Sequence, residues 1–597
     1  MNTTTIPQRF ENICRTYPDL VAVKSGDQAV TYAELNARSN QVARMILKAC
    51  GDRDCTVALL LKPGVALATG VMACLKATKM FVPLDPNNPP ERQEFILEDA
   101  GSALVLSEGF GFSSPRAAVM DIDAPAPNLP VANLHREPRR DDRAFLLYTS
   151  GSTGSPKGVI NLHRGIVARI ADYNRFDVGP GDRLTALGPG GMNLFRALLT
   201  GATLVSLNLR EVGVDHLADW LRAERITIYH SVPTVFRQFV STLEGPQTFP
   251  DLRIVNLTGE TLLSKDVAAF RRHFPASCVL VNGLGTTETG TFCEMRIDRE
   301  TLIEGGIVPV GYAVEGLHVL LLDEKDGLID DLQTGEIAVR GADISPGYWN
   351  RPESTADRFT DDPKRPGHCI YRTGDLGRFR RDGALLHLGR KDLQVKILGY
   401  RVEVGEIESA FLGHPAVRQA AVVGRRGEDG EDTRLAAYVA RTPSARISSQ
   451  DLKAFLRRRL PEYMLPVSIT FVPDLPQTPN GKIDYTALPS VESAVAPGSD
   501  PAGAPRNETE AKLANIWRDV LRVEQVDVNE NFFNLGGNSI LAMRVMSRVH
   551  KDFRVEYPIS AIFKYPTVAT LAEFIAAARS ALRPRATRGE GPRTGPR

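Results

Sequence analysis

Apolar residues recur along this chain in two alternating rhythms. The segment VTYAELNARSNQVARMIL (30–47) spaces them as one face of a helix, and TVALLL (56–61) follows as a short continuous apolar run typical of a buried strand. Similar strand-like runs recur at ATLVSL (202–207), ITIYHSV (226–232), DLRIVNL (251–257) and SCVLVNG (277–283), separated by helical patterns. Strands alternating with helices from about Ile6 to Phe379 predict an α/β architecture with largely parallel sheets. A smaller block, roughly Leu393 to Leu488, carries its own strands (AAVVGRR, RLAAYVA) and a helix (SSQDLKAFLRRRL), so it reads as α+β. VESAVAPGSDPAGAPRN (491–507) lacks periodicity and is rich in Ala, Pro, Gly and Ser, the composition of a linker. A compact all-α pattern follows from about Glu508 to Ala577, and the basic, Pro/Gly-rich RPRATRGEGPRTGPR (583–597) reads as a disordered tail.

A chain of 597 residues exceeds one ordinary core, and 43% hydrophobic residues can fill several. With 72 basic against 71 acidic residues the net charge is +1, which offers no attraction to nucleic acid or to an anionic membrane surface. The seven cysteines are scattered and form neither a C-x-x-C pair nor a metal-ligand spacing, the usage of free thiols in a reducing compartment. The start, MNTTTIPQRFENICRTYP, lacks the charged and apolar regions of a signal peptide. The apolar stretch from Val57 to Leu84 is cut by Lys62, Pro63, Lys76 and Lys79, too interrupted to span a bilayer. A cytoplasmic protein without nucleic-acid or membrane partners is the expectation.

LYTSGSTGSPKGV (147–159) concentrates Ser, Thr and Gly with one Lys. Glycines let backbone approach an anion, while hydroxyls and N–H groups donate to phosphate oxygens. It is not a Walker A loop, because Pro156 stands where the second glycine is required. Alone, this density of small donors favours a phosphate loop only somewhat over an ordinary surface loop. It is joined by NGLGTTE (282–288), YRTGDL (371–376), GRKDLQVKILGYRVEVGEIE (389–408) and NGK (480–482).

With these motifs the chain resembles the adenylate-forming superfamily, and most closely the adenylation domains of nonribosomal peptide synthetases, over nearly all of residues 6–488. TYAEL (31–35), LKATKMFVPLDP (75–86), GEIAVRGADISPGYW (335–349) and LPEYMLP (460–466) extend the resemblance. NFFNLGGNSILAMRV (531–545) independently resembles the phosphopantetheine attachment site of carrier proteins. A G-x-S-x-G hydrolase nucleophile does not fit there, because Leu541 stands where glycine is needed. The resemblance implies a large adenylation subdomain over 1–391, a small one over 392–488, a linker over 489–506, a peptidyl carrier domain over 507–580 and a tail over 581–597.

It further implies ATP, Mg2+ and 4'-phosphopantetheine. Phosphate and nucleotide contacts fall on Thr149, Ser150, Gly151, Ser152, Thr153, Gly154, Lys157, Gly283, Thr286 and Thr287, with Asp375 as the ribose-hydroxyl ligand and Arg390 also reaching the nucleotide. Glu288 is implied at the Mg2+, Lys482 as the catalytic lysine bridging carboxylate and α-phosphate, Asp392 as the hinge, and Ser539 as the phosphopantetheine attachment site. After adenylation the small subdomain of the family rotates, withdrawing the lysine and opening a thiol route near Gly399. No H-H-x-x-x-D-G condensation pattern and no thioesterase motif occurs in the chain. The expected partners are a phosphopantetheinyl transferase, a small carboxylic acid, and downstream condensation, tailoring or release enzymes.

Matching LFRALLTGATL (194–204) to the family puts Gly188 where α-amino-acid enzymes carry an ammonium-binding Asp. Pro189, Met192, His230, Asn256, Thr258, Gly283, Thr291 and Phe292 follow as pocket positions. No acidic residue occurs from Leu184 to Leu209, so a standard α-amino acid is an unexpected substrate. His230 reads either as a satisfied core histidine or, with Asn256 and Thr258, as a ligand for a polar substrate group. A coenzyme-A ligase and a non-catalytic carrier scaffold are the alternatives to an adenylating and thiolating enzyme.

Overall fold

The computed structural model describes residues 4–582, apart from 110, 125–127, 152–154, 173–175, 188–191, 246–248, 326, 330–331, 398, 427–432, 444, 478–482, 490–502, 522, 524, 534, 536, 538, 554–556 and 559–560. Its contacts divide the chain into two compact units, Met1–Leu209 with Val214–Val491, and Arg210–Gly213 with Glu492–Arg597.

The first unit is α/β. The amphipathic segment near its start forms the helix Tyr32–Cys50, opened by a capping box: Glu34 N donates to Thr31 Oγ1 at 3.2 Å and Thr31 N donates to Glu34 Oε2 at 2.8 Å. The interrupted apolar stretch after it becomes the strand Thr56–Leu60, the helix Val65–Lys76 and the strand Met80–Pro83. That helix is buried nearly all round, which matches its lack of a polar face, and Lys76 within it is paired with Glu11. Two large sheets, one of nine strands and one of six, hold the core between their helices, where Phe145 stacks between Phe81 and Phe195. In the nine-stranded sheet Ile228–Ser231, Ile254–Thr258 and Val279–Thr286 run parallel side by side.

The chain departs from a largely parallel plan beyond residue 286. Val279–Thr286 folds straight back as Gly290–Ile297, antiparallel. His318–Leu322, Gly335–Gly341, Phe359–Asp361, Cys369–Phe379 and Leu385–Arg390 then make a five-stranded sheet that is antiparallel throughout. Alternating apolar runs announce strands there, but they do not say which neighbour each strand takes. The smaller block forms a sheet of Val417–Arg426, Thr433–Arg441 and Ser468–Val472, packed with the helices Val404–Leu412 and Ser449–Arg457.

The second unit contains the helices Glu508–Leu521, Ser539–Phe553, Ala561–Lys564 and Val568–Leu582. Trp517, Phe532, Val545, Ile562 and Leu571 are fully buried in it. No helix among the described residues is long and apolar enough to cross a membrane.

Candidate active site

The strands Arg143–Thr149 and Lys157–Leu162 pair antiparallel, and the Ser/Thr/Gly loop joins their ends, with Thr149 opposite Lys157. Ser150 Oγ donates to the carbonyl of Arg401 at 2.6 Å and accepts from Glu403 N at 3.0 Å. Gly151 has no room for a side chain, since a Cβ would lie 2.0 Å from the carbonyl oxygen of Ser155. Ser152, Thr153 and Gly154 lie outside the described residues. The Lys157 ammonium sits 4.0 Å from the centroid of the Tyr348 ring. Burial pushes its pKa down to about 8; Arg401 acts in the same direction and Glu288 against it.

Glu288 lies in the turn between Val279–Thr286 and Gly290–Ile297, beside Thr287, and is fully buried. Thr286 braces the turn, its Oγ1 3.0 Å from Thr289 Oγ1. Glu288 Oε1 accepts from Tyr348 Oη at 2.8 Å and from Arg401 Nη1 at 3.0 Å, while its buried Oε2 has no hydrogen-bond partner among the described residues. Burial pushes this carboxyl up, but Arg401 and Lys157, with the Tyr348 hydroxyl, hold it at about 2. An ionised carboxylate with one unpartnered oxygen beside a phosphate-type loop fits a magnesium ion, which takes one or two carboxylates together with phosphate oxygens.

Asp375 stands on Cys369–Phe379 directly across from Arg390 on Leu385–Arg390, and Arg390 Nη1 donates to Asp375 Oδ1 at 3.0 Å. Burial raises the Asp375 carboxyl, but His387, its Nε2 3.4 Å from Oδ1, and the charge of Arg390 hold it well below the usual carboxylate range. Arg390 also grips Asp392, its Nε 2.6 Å from Oδ1 and its Nη2 2.7 Å from Oδ2. A half-buried lysine, Lys396, feels Asp375, Arg390, Arg401 and Glu260, and its partial burial pushes it below the usual lysine range. The structure therefore brings Lys157, Glu288, Asp375, Arg390 and Asp392 into one electrostatically connected cluster. Lys482 lies outside the described residues.

The pocket positions converge on one sheet face. His230 is the register neighbour of Asn256, and Thr258 that of Gly283. A Cβ on Gly283 would meet Thr258 Cγ2 at 2.8 Å and Thr291 Cγ2 at 3.5 Å, so Thr258 packs against this glycine where a side chain would not fit. Met192 and Thr291 line a cavity with Arg169, Arg196, Glu294 and Val314. Phe292 is not among that cavity's lining; strand alternation turns it into an apolar cluster with Leu284, Leu321 and Val339, where it is fully buried. Gly188 and Pro189 lie outside the described residues.

In the second unit Ser539 is the first residue of Ser539–Phe553. The preceding loop folds on Phe532, whose ring lies 4.9 Å from Trp517, and a Cβ on Gly537 would come within 2.3 Å of the Phe532 ring.

Four site residues were not singled out in the sequence: Tyr348, Arg401, Asn193 and Arg196. Arg196 and Asn193 had a readable signal, because polar residues inside the apolar run MNLFRALL (192–199) are buried only with partners. Arg401 had none beyond its motif, since 113 positions separate it from Glu288.

Comparison with known proteins agrees with this layout. The AMP-binding enzyme model matches residues 10–349, the AMP-binding enzyme C-terminal domain model 406–482, and the phosphopantetheine attachment site model 511–575. The chain is 34% identical over 587 residues to gramicidin S synthase 2 of Brevibacillus brevis, which covers 96% of this chain and 13% of that protein. It is 31% identical to tyrocidine synthase 1 of Brevibacillus parabrevis, covering 96% of this chain and 52% of the relative. The chain thus spans between an eighth and about half of these relatives. Among solved structures it superposes on holo-PA1221, an NRPS protein containing adenylation and PCP domains, with TM-score 0.79 at 24% identity over 96% of this chain and 97% of the other, a likeness of fold. The chain belongs to the AMP-binding enzyme family, with the family's C-terminal domain and a phosphopantetheine attachment site following in order.

Proposed function

We propose that this protein condenses a carboxylic acid with ATP to an acyl-adenylate, releasing pyrophosphate, and then passes the acyl group to a thiol on its own carrier domain. The observation that carries the reading is the buried cluster of Lys157, Glu288, Asp375 and Arg390, joined in one chain to a helical unit with Ser539 at a helix start. The division is the one read from the sequence: large subdomain 1–391, small subdomain 392–488 with Asp392 as hinge, linker 489–506, carrier 507–580.

A carboxylate attacks the α-phosphate only if the charge building there is neutralised by fixed cations and donors. The loop at Thr149–Gly154 and Lys157, with Thr286 and Thr287, cradles the phosphates. Asp375 accepts from the ribose hydroxyls and Arg390 orients it. Glu288 holds Mg2+, which when bound supplies further neutralisation of phosphate charge. Lys482 bridges the carboxylate and the α-phosphate. Ser539 carries 4'-phosphopantetheine, whose thiol receives the acyl group. Around Gly188 the sequence carries no acidic residue from Leu184 to Leu209, so the acid is a hydroxy or keto acid, or an amino acid whose nitrogen is displaced or modified, rather than a standard α-amino acid. A phosphopantetheinyl transferase and downstream condensation, tailoring or release enzymes complete the pathway in the cytoplasm.

Acid-dependent ATP–pyrophosphate exchange across a panel of carboxylic acids tests the first half. Intact mass of the transferase-treated chain, before and after acid and ATP, tests the second. No exchange with any acid rejects adenylation; exchange without an acyl mass shift on the chain favours a coenzyme-A ligase.

A further inference from the structure

Two carboxylates, Asp375 and Asp392, share the guanidinium of Arg390, and they share it unequally. Asp392 takes the fork: Arg390 Nε donates to its Oδ1 at 2.6 Å and Nη2 to its Oδ2 at 2.7 Å. Two parallel charge-assisted bonds of this kind are the strongest pairing an arginine makes with a carboxylate. Only Nη1 is left, and it donates to Asp375 Oδ1 at 3.0 Å and to the carbonyl of Thr373 at 3.1 Å. Asp375 therefore meets Arg390 through a single oxygen. His387 approaches that same oxygen, its Nε2 3.4 Å away. Asp375 Oδ2 accepts no hydrogen bond from any described residue.

The grip on Asp392 has a second side. Arg358 ends the helix Pro352–Arg358, and its Nη2 lies 3.5 Å from Asp392 Oδ2, so this carboxylate sits between two guanidiniums. Arg358 Nη1 is in turn 4.0 Å from Oε1 of the buried Glu336. All three groups converge on Gly374, where φ is +77°. A Cβ there would lie 2.6 Å from Arg390 Nη2, 2.9 Å from Arg358 Nη1 and 3.2 Å from Asp392 Oδ2. Glycine leaves the fork its room. Partial burial pushes the Asp392 carboxyl up, but Arg390 and then Arg358 hold it below the usual carboxylate range.

We infer that Asp392, steadied by Arg358, is a positioning residue of the nucleotide site: by occupying two arms of Arg390 it leaves Asp375 Oδ2 open to a ribose hydroxyl, and so makes the enzyme select a ribonucleotide over its deoxy analogues. Were Asp392 lost, the freed arms would have Asp375 beside them, and a fork pair there would span both of its oxygens. A lone pair would remain on Oδ2, but the carboxylate plane would be turned onto Arg390 and its accepting power shared. The hydroxyl bond then weakens rather than vanishes. This rests on the reading of Asp375 as the ribose ligand, and it is separate from any part Asp392 plays as a hinge.

The test is calorimetric binding of ATP, 2′-deoxy-ATP, 3′-deoxy-ATP and 2′,3′-dideoxy-ATP to the full chain, with acid-dependent pyrophosphate exchange read beside it. The protein should bind ATP at least about tenfold more tightly than the dideoxynucleotide, because a site built to bond a hydroxyl rejects the analogue that leaves it unpaired. Asp392→Asn keeps the shape but turns an amide against Arg390, and the ratio should fall to about two- to threefold as the hydroxyl bond weakens. Arg358→Leu should lower it part of the way. Arg390→Lys added to Asp392→Asn should return part of it, since an ammonium is a point charge that does not fork across two oxygens. A hinge defect alone would weaken every nucleotide alike and leave the ratio where it was. A ratio that survives Asp392→Asn, or a wild type that binds and turns over the dideoxynucleotide as well as ATP, overturns the inference while leaving adenylation in place. A ribose preference that follows these variants, without exchange on any acid, overturns adenylation and leaves the role of Asp392 standing.

Discussion

Arg401 Nη1 donates to Glu288 Oε1 at 3.0 Å across 113 positions of sequence, a buried ion pair that joins the GYRVE segment to the carboxylate of the TTE turn. The same oxygen receives Tyr348 from within the large subdomain, while Ser150 donates to the Arg401 carbonyl and accepts from Glu403 N, so further hydrogen bonds seat the segment there. If the small subdomain rotates between half-reactions, this pair exists in one arrangement only. The carboxylate proposed for Mg2+ then carries a guanidinium on Oε1 in one arrangement and not in the other.

Arg401→Leu should accordingly injure the half-reactions unequally. Removing one partner of a buried pair costs about 3–5 kcal/mol because the other charge is left uncompensated. That cost falls on the arrangement that contains the pair. At about 1.4 kcal/mol per decade, loading of the carrier from supplied acyl-adenylate should slow by roughly a hundredfold or more, with pyrophosphate exchange changed by only a few fold. Equal losses in single-turnover assays of the two steps would refute this assignment of Arg401.

Lys157 makes a prediction in pH. Burial lowers it from an ordinary 10.5 to about 8, so in the unliganded protein it loses its charge as pH rises through 8. A phosphate bound there favours the charged form, and nucleotide affinity should fall by up to tenfold per pH unit above about 8. Stability moves the opposite way: between pH 8 and 10.5 the unfolded chain binds the extra proton, so this group makes folding more favourable as pH rises across that window. Lys157→Arg, charged throughout, should flatten the nucleotide profile. Calorimetric titration of ATP from pH 7 to 9.5 measures it, and an unchanged slope in the variant removes Lys157 from the phosphate site.

Ser539→Ala separates the two units. Adenylation uses residues of the first unit, so exchange should stay near normal, while transferase-dependent mass gain and acyl loading should vanish. Loading that persists on the purified variant would place the attachment site elsewhere.

The parallel heart of the fold was readable because its strands are short continuous apolar runs and its helices have a single apolar stripe; 30–47 and 226–232 are clear cases. The five-stranded antiparallel sheet between His318 and Arg390 was not, because periodicity marks a strand without naming its partner. Much of the site was legible for a different reason. Lys157, Glu288, Asp375 and Arg390 sit in motifs whose joint order points to one chemistry. The residues that set their charge and orientation are another matter: Arg401 reaches Glu288 by tertiary folding, and Arg358 acts on Arg390 only through Asp392. Phe292 shows the limit of aligned positions, since one step along a strand exchanges cavity for core.

Gly399 and Lys482 should behave as opposites. Gly399 has φ +79°, donates its N–H to Glu260 Oε1 at 2.8 Å, and approaches Val232 so closely that a Cβ would lie 2.4 Å from Val232 Cγ1. An alanine there pays about 1–2 kcal/mol for the left-handed backbone alone, before the overlap with Val232 is counted. The whole cost weighs on the arrangement that seats Gly399 against Val232, so Gly399→Ala should slow carrier loading by about tenfold or more, at roughly 1.4 kcal/mol per decade. Exchange should hold or rise slightly as population shifts to the other arrangement. Val232→Ala added to Gly399→Ala removes the overlap but not the backbone term, and should restore part of the loading rate. Lys482→Ala should do the reverse, lowering exchange by about 10²–10³, as for loss of one transition-state contact, and sparing thioester formation from supplied acyl-adenylate. Rapid-quench measurement of both steps on the three variants decides the matter. If Gly399→Ala and Lys482→Ala damage the same step, the two residues do not serve alternating arrangements.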